Sequence, residues 1–421
     1  MTSKGTARAL YALLLSGLLP IGAASAAEPL LLGLNAPRSG EYQQEGLMQT
    51  RGALMAVEEI NQAGGLLGRP LALLERDTAS KPDKAVSNVD ELAAQGAQML
   101  FGGASSAVAI AAGKRAREHG LIYFGTLTYS NDTTGKDAHR YMFRESYNAW
   151  MASKVLAQHL NEHMPDKTYF YVTADYTWGH TTEQSMRHFT GTDNVQTHGR
   201  TLIPFPGSMQ KDLRTAMQAA RDAEPDVLVL VLFGDQMVKG MRMAHQMGLT
   251  KSTQVVVPNL TLSMVEQAGP ALMEGVLGAS PWTWNVPYVY NYARGQAFVE
   301  GFVDLYETYP STSAASAYSI VYQWADAVNR TGSLDTERLI TALEGHDYQL
   351  LKDNQSWRAF DHQNIQTVYA VRIRPRAHVM KDPLRQGYFE LLAAMPGADA
   401  AMTRDEWLAE RRANNQPEQL R

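Results

Sequence analysis

Gly102-Gly103-Ala104-Ser105-Ser106 is the stretch of this 421-residue chain whose residue types suit a binding chemistry. Two glycines and two serines stand between a short apolar run and an alanine-rich segment, Ala107–His119, that reads as a helix. The first N–H groups of a helix have no partner within it and carry partial positive charge, so an anion placed there gains hydrogen bonds. No Gly-Lys-Ser or Gly-Lys-Thr follows, and the spacing does not fit Gly-x-Gly-x-x-Gly, so this is not a phosphate loop. Without a fixed cation, the arrangement suits one carboxylate better than a polyphosphate. On the residues alone, a serine here serves equally well as an ordinary helix cap.

Other chemistries lack their residues. The chain has 11 histidines but no His-Glu-x-x-His spacing, and His180, His245 and His362 are isolated. Gly207-Ser208 follows Pro206 in a loop and lacks the strand-turn-helix setting of a nucleophile elbow. Glu58 and Glu59 are adjacent on a helix, so their side chains diverge and read as a solvated face. The absence of cysteine removes disulfides, thiolate zinc sites and thiol nucleophiles together. A formal net charge of −5 argues against nucleic acid as a partner. The expectation is a chain that is not an enzyme, with no cofactor and no metal.

The elements that must position a site alternate in type along the chain. Residues 1–26 read as a secretory signal: Lys4 and Arg8, an apolar run from Ala9 to Ile21, then Ala24-Ser25-Ala26 before the cleavage point. Short apolar runs follow at Leu30–Asn35, Leu71–Arg76, Gln98–Phe101, Leu121–Phe124, Thr168–Val172, Val227–Leu232, Gln254–Val257 and Val276–Ala279. Helix-length stretches separate most of them. That order predicts an α/β fold of doubly wound parallel sheets with helices on both faces. The run from Val227 to Phe233 is apolar without alternation, as a strand buried on both faces requires. Gly/Pro clusters near 204–207 and 280–287 are candidate crossings between domains, and the polar stretch beyond Met395 reads as a loose tail or a short surface helix.

The same order of signals resembles type I periplasmic solute-binding proteins of the leucine/isoleucine/valine class. The likeness rests on Arg38-Ser39-Gly40, Glu58-Glu59-Ile60-Asn61-Gln62-Ala63-Gly64-Gly65, Gly68-Arg69-Pro70, Gly102-Gly103-Ala104-Ser105-Ser106, Tyr141-Met142-Phe143-Arg144, Asp175-Tyr176-Thr177-Trp178-Gly179 and Asp361-His362-Gln363. It implies two α/β lobes joined by hinge strands: residues 28–147 with 282–354, and 148–281 with 355–395, leaving 396–421 as a tail. It further implies a monomer in the periplasm that traps a small-molecule ligand between the lobes and hands it to an ABC transporter permease. A sensing module for a membrane histidine kinase or chemoreceptor is the alternative the fold also allows.

The resemblance carries over residue by residue. Ser105, Ser106, Thr126 and Thr128 match positions that hold the ligand carboxylate; read alone, the two threonines are equally turn residues. Trp178 stands where an aromatic side chain closes over the ligand, although alone it is equally a buried core residue, and Phe233 matches a wall position that is often tyrosine. Asn259 replaces the carboxylate that pairs an α-ammonium in amino-acid-binding members, and Asp235 or Glu45 could compensate. Glu45 also replaces a frequent aromatic and alone reads as a solvated acid at a helix start. Trp282, Trp284, Tyr288, Tyr290 and Tyr292 crowd a stretch near the cleft mouth. These features tilt the expected ligand toward an aromatic or other organic acid over a branched-chain amino acid.

Overall fold

The computed structural model describes residues 27–420; the signal segment lies outside them. Among the described residues no helix is long and apolar enough to cross a membrane. Five parallel strands form the first sheet in the order Leu71–Asp77, Leu30–Ala36, Ala97–Gly102, Tyr123–Gly125, Met142–Arg144. Alternation sorts the side chains of its central strand: Met99 and Phe101 enter the larger core, while Leu100 enters a second one. Helices Gln43–Gln62 and Thr312–Thr331 pack together on the first face, and Pro82–Ala94 with Ser106–Glu118 on the other. Strand four begins two residues later than the sequence suggests, at Tyr123.

Seven strands form the second sheet in the order Phe389–Met395, Val368–Ile373, Leu277–Ser280, Gln254–Val257, Val227–Val231, Tyr169–Asp175, Arg200–Pro204. All five residues of Val227–Val231 are buried, as its unbroken apolar run requires. Val368–Ile373 runs antiparallel to Leu277–Ser280, and Phe389–Met395 antiparallel to Val368–Ile373. Phe389–Met395 and Arg200–Pro204 lie at the sheet edges and are half-buried, so their mixed composition hides them from an apolar-run search. The 204–207 cluster is no crossing: it follows Arg200–Pro204 and leads to another strand of the same sheet.

The chain passes from the first sheet to the second after Arg144, returns after Ser280, and passes again between Ile365 and Val368. Residues 355–365 therefore pack with the first sheet, and the last passage lies beyond the boundary at 354–355 that the resemblance implies. These passages are tied together. Buried Lys352 donates from Nζ to Pro281 O (2.6 Å) and Thr367 O (2.8 Å), Gln363 Nε2 donates to Ser146 O (2.8 Å), and Tyr147 OH to Ala279 O (3.1 Å). Burial pulls the Lys352 ammonium down to about 8, against the opposing pull of Asp353 and Glu145. A three-stranded antiparallel sheet spanning residues 347–365 sets Trp357 against Phe124 and Phe143 of the first sheet. The polar C-terminal stretch is no loose tail: it forms helices Gly397–Ala400 and Arg404–Ala413 and buries Trp407.

The loop that leads into the first helix is held by one carboxylate. Asp77 Oδ1 accepts from the N–H groups of Arg38 (2.8 Å), Ser39 (3.2 Å) and Ala79 (2.8 Å), and Oδ2 from Ser39 Oγ (2.7 Å) and Lys84 Nζ (2.9 Å). Burial opposes ionisation, but these donors outweigh it and hold the carboxyl well below its usual range. A depressed folded pKa means stability present above the unfolded value near 4 and lost as pH falls below it. Asp77→Asn is expected to cost about 1–2 kcal/mol at pH 7. Urea unfolding at successive pH values should show that difference shrinking from about pH 4 downward; a difference independent of pH would refute the role.

Candidate ligand-binding cleft

In doubly wound sheets the strands point their C-terminal ends, and the following helices their N-terminal ends, at one edge. On the first sheet that edge is built around Gly102-Gly103, both with positive φ (130° and 82°). A Cβ on Gly102 would collide with Asn35 O, so glycine is what lets strand and loop lie this close. Ser105 follows in extended conformation as the N-cap of Ser106–Glu118, yet its side chain makes no cap bond. Its Oγ is buried without a hydrogen-bond partner. Ser106 is occupied instead, accepting from the Ser130 N–H (2.9 Å) and so tying the helix start to the next loop.

That next loop, Gly125–Ser130, uses its own hydroxyls for internal bracing. Thr126 Oγ1 lies 2.6 Å from Gly103 O and 3.0 Å from Gln49 Oε1, while Thr128 Oγ1 meets Thr133 Oγ1 at 2.6 Å. Arg144, fully buried, donates to the carbonyls of Thr128 (3.0 Å) and Ser130, to Thr134 Oγ1 and to Gln363 Oε1 (2.7 Å). Burial pulls its guanidinium down to about 9, with Asp361 and Glu410 opposing, so it remains charged at neutral pH. In sequence Arg144 is only one letter of a resemblance; its role needs the carbonyls that folding brings to it.

The second sheet presents two more helix starts. Trp178 sits in the first turn of Thr177–Thr190, 2% exposed, with Nε1 buried and unpartnered. Phe233 is the N-cap of Gly234–Gln246 and meets Trp178 edge-on at 5.9 Å. Around them lies an aromatic cluster drawn from both sheets. Tyr42 and Tyr129 from the first side reach Phe233 at 5.3 and 6.0 Å, Tyr129 meets Tyr147 at 5.0 Å, and Phe205 stacks on Tyr42 (5.2 Å) and Tyr176 (4.3 Å). Tyr42 and Tyr176 join hydroxyls at 3.1 Å. Tyr129 and Tyr176 flank positions singled out in the sequence, but nothing there marks Tyr42 or Phe205. The 282–292 aromatics pack elsewhere: Trp282 against Phe298 (5.9 Å), Trp284 against Tyr309 (3.8 Å) and Tyr290 against Tyr369 (6.0 Å).

The remaining predicted positions differ in kind. Asn259 Nδ2 donates to Tyr147 OH (2.8 Å), leaving Oδ1 buried without a partner. Glu45 is not solvated: it is 1% exposed and bridges the sides, accepting from Thr261 Oγ1 (2.6 Å) and Ser313 Oγ. Burial raises its pKa against these hydroxyl donors. Asp235 stands half-exposed in the first turn of Gly234–Gln246, its backbone N–H 3.3 Å from Glu41 O. The two sides touch here so closely that a Cβ on Gly234 would lie 2.6 Å from Glu41 O.

Three helices, capped by Ser105, Tyr176 and Phe233, therefore begin at one cleft without a side-chain cap. Helix starts of this kind carry partial positive charge, and Ser105 Oγ and Trp178 Nε1 are buried without a partner. Among the described residues, no cluster of His, Asp and Glu could hold a metal ion.

A family model described as "periplasmic binding protein" matches residues 29–378. The chain belongs to the periplasmic binding protein family. Within it the chain is of the two-lobed type I, leucine/isoleucine/valine-binding class. It is 24% identical over 386 residues to a Leu/Ile/Val-binding protein homolog 4 of Brucella melitensis, covering 87% of this chain and 89% of the relative. A periplasmic binding protein from Burkholderia mallei superposes with a TM-score of 0.81 at 22% identity, covering 90% of this chain and 98% of that one. An amino acid ABC transporter substrate-binding protein from Pseudomonas fluorescens superposes at 0.78 with 26% identity, covering 90% and 100%.

The two kinds of serine and arginine contact in this binding protein separate by experiment. Ser105 has no partner to orphan, so Ser105→Ala is expected to change the stability of the ligand-free protein by less than about 0.5 kcal/mol. Arg144→Met strands several buried acceptors and should cost about 3–5 kcal/mol. Denaturant unfolding checks both; a comparable loss in Ser105→Ala would place that hydroxyl in the structural network.

Proposed function

We propose that this protein is the periplasmic substrate-binding component of an ABC importer. It captures a small carboxylate-bearing solute between its lobes and delivers it to the permease in the inner membrane, and an aromatic or other organic acid suits the cleft better than a branched-chain amino acid. The observation that carries this reading is the meeting of three uncapped helix N-termini with the unpartnered Ser105 hydroxyl and Trp178 N–H beside an aromatic cluster. A carboxylate answers those donors, and a flat apolar body answers Trp178, Phe233, Tyr129 and Tyr42.

The class of ligand follows from what faces the other end. Asn259 is neutral, and both Glu45 oxygens already accept hydroxyl hydrogen bonds. Asp235 is half-exposed, so a buried α-ammonium would lack a buried, uncommitted carboxylate there, and an unpaired buried charge is costly. An importer component must also release its cargo, which dipoles and hydroxyls permit more readily than a fixed cation would. Capture follows from differential affinity: a solute touching both lobes favours their closed arrangement.

A thermal-shift screen of amino acids, amides, aromatic acids and dicarboxylates tests the reading, since a ligand at about 100 times its Kd stabilises by roughly 2.7 kcal/mol. Aromatic or other organic acids are expected to raise Tm and to be recovered unchanged. Strong shifts with leucine and valine, and none with organic acids, would sink the ligand class. Asn259→Asp should weaken binding of the acid about tenfold, roughly 1.4 kcal/mol, by setting a second carboxylate in the pocket; titration calorimetry reads that change.

A further inference from the structure

Beyond the last strand of the second sheet, the described chain crosses between the lobes once more. Helix Gly397–Ala400 packs on the second-lobe helix Ala149–His163, with Lys154 Nζ donating to Asp399 O (2.6 Å). Ala401 is buried there and donates from N–H to Gly397 O (2.9 Å). The very next residue is held by the other side: Met402 O accepts from Arg358 Nη1 (2.7 Å). Arg358 closes the turn Arg358–His362, whose His362 ring stacks on Phe143 of the first sheet at 3.9 Å.

Helix Arg404–Ala413 then docks on a first-lobe loop. Trp407, 2% exposed, donates from Nε1 to Thr134 O (2.8 Å), and Arg411 Nη1 donates to Gly135 O (2.6 Å). The same loop grips the second-lobe helix that carries Trp178. Ser130 Oγ meets Thr177 Oγ1 at 2.9 Å, Thr177 donates to Asp132, and Asn131 Nδ2 donates to Ser185 Oγ (3.0 Å). A cavity of about 850 Å³ separates the C-terminal helix from helix Thr177–Thr190. Its hold on the second lobe therefore runs through the Gly397–Ala401 anchor and through the loop it backs.

We propose that residues 396–414 are a strap: a fourth connection that braces the 130–138 loop and favours the closed arrangement before any solute arrives. This rests on the reading that solute binding closes the lobes. Ala401 and Met402 are consecutive and anchored on opposite sides, so the junction has no slack. Opening must bend it or peel Trp407 and Arg411 from the loop. A protein whose binding-competent form is more populated binds with an apparent Kd lowered by that fraction. The strap thus tightens binding and slows release without touching the ligand.

The absence of cysteine allows a clean measurement. Ala94→Cys and Thr215→Cys, exposed on helices of opposite lobes, carry spin labels for interlobe distances by pulsed electron resonance without solute. About six Gly/Ser residues inserted between Ala401 and Met402 supply slack while replacing no packed side chain. The full chain is expected to show one narrow distance, and the insertion a broader distribution reaching longer distances, as should Trp407→Ala. For a solute found by thermal shift, the insertion should raise Kd about fivefold to tenfold, mostly through faster release. An unchanged distribution in the insertion variant overturns the strap, even if Trp407→Ala alters it, since that change would then be local to the loop. If the insertion opens the lobes while no carboxylate shifts Tm, the ligand reading fails and the strap stands.

Discussion

Arg144 is the contact on which the cleft depends. It closes the last strand of the first sheet, and its guanidinium, fully buried, is satisfied by the carbonyls of Thr128 and Ser130 with the side chains of Thr134 and Gln363. One cation thereby gathers the cleft loop, the loop that grips the second lobe and the turn within the small sheet. A lysine could not replace it, because a single ammonium lacks the planar fork that reaches acceptors on several segments at once. Its charge is shared among carbonyl, amide and hydroxyl oxygens rather than neutralised by a directly bonded carboxylate.

The lobes are then related by two different kinds of contact. Near the three grouped passages, Lys352 joins two backbone segments by donating to Pro281 O and Thr367 O. At the cleft, aromatic rings and hydroxyl pairs such as Tyr42 with Tyr176 depend on the sides being together. In the proposed capture, a ligand inserting among these rings would exchange one set of close contacts for another.

Most of the strands were legible because burial on both faces demands unbroken apolar runs, as in Val227–Val231. The edge strands Arg200–Pro204 and Phe389–Met395 were not, since one face meets water and their composition is mixed. Among the candidate site residues, Ser105, Trp178 and Asn259 carry buried polar atoms without a partner. Ser106, Thr126 and Thr128 instead spend their hydroxyls on bracing, and no spacing rule distinguishes the two serines. Glu45 illustrates the limit best: a polar residue in a helix's first turn reads as solvated until Thr261 and Ser313 arrive from distant segments.

By itself the sequence determined the alternation of strands and helices, the glycines that let a helix start approach a strand end, and the absence of cysteine chemistry. These are local properties, set by side-chain type and spacing along a few turns. Which hydroxyl stays unpartnered, which rings form the cluster, and that the C-terminal stretch spans both lobes were decided only by tertiary structure. Each depends on partners from separate segments of the chain, whose approach is fixed by packing of the whole core and leaves no periodic mark in the sequence.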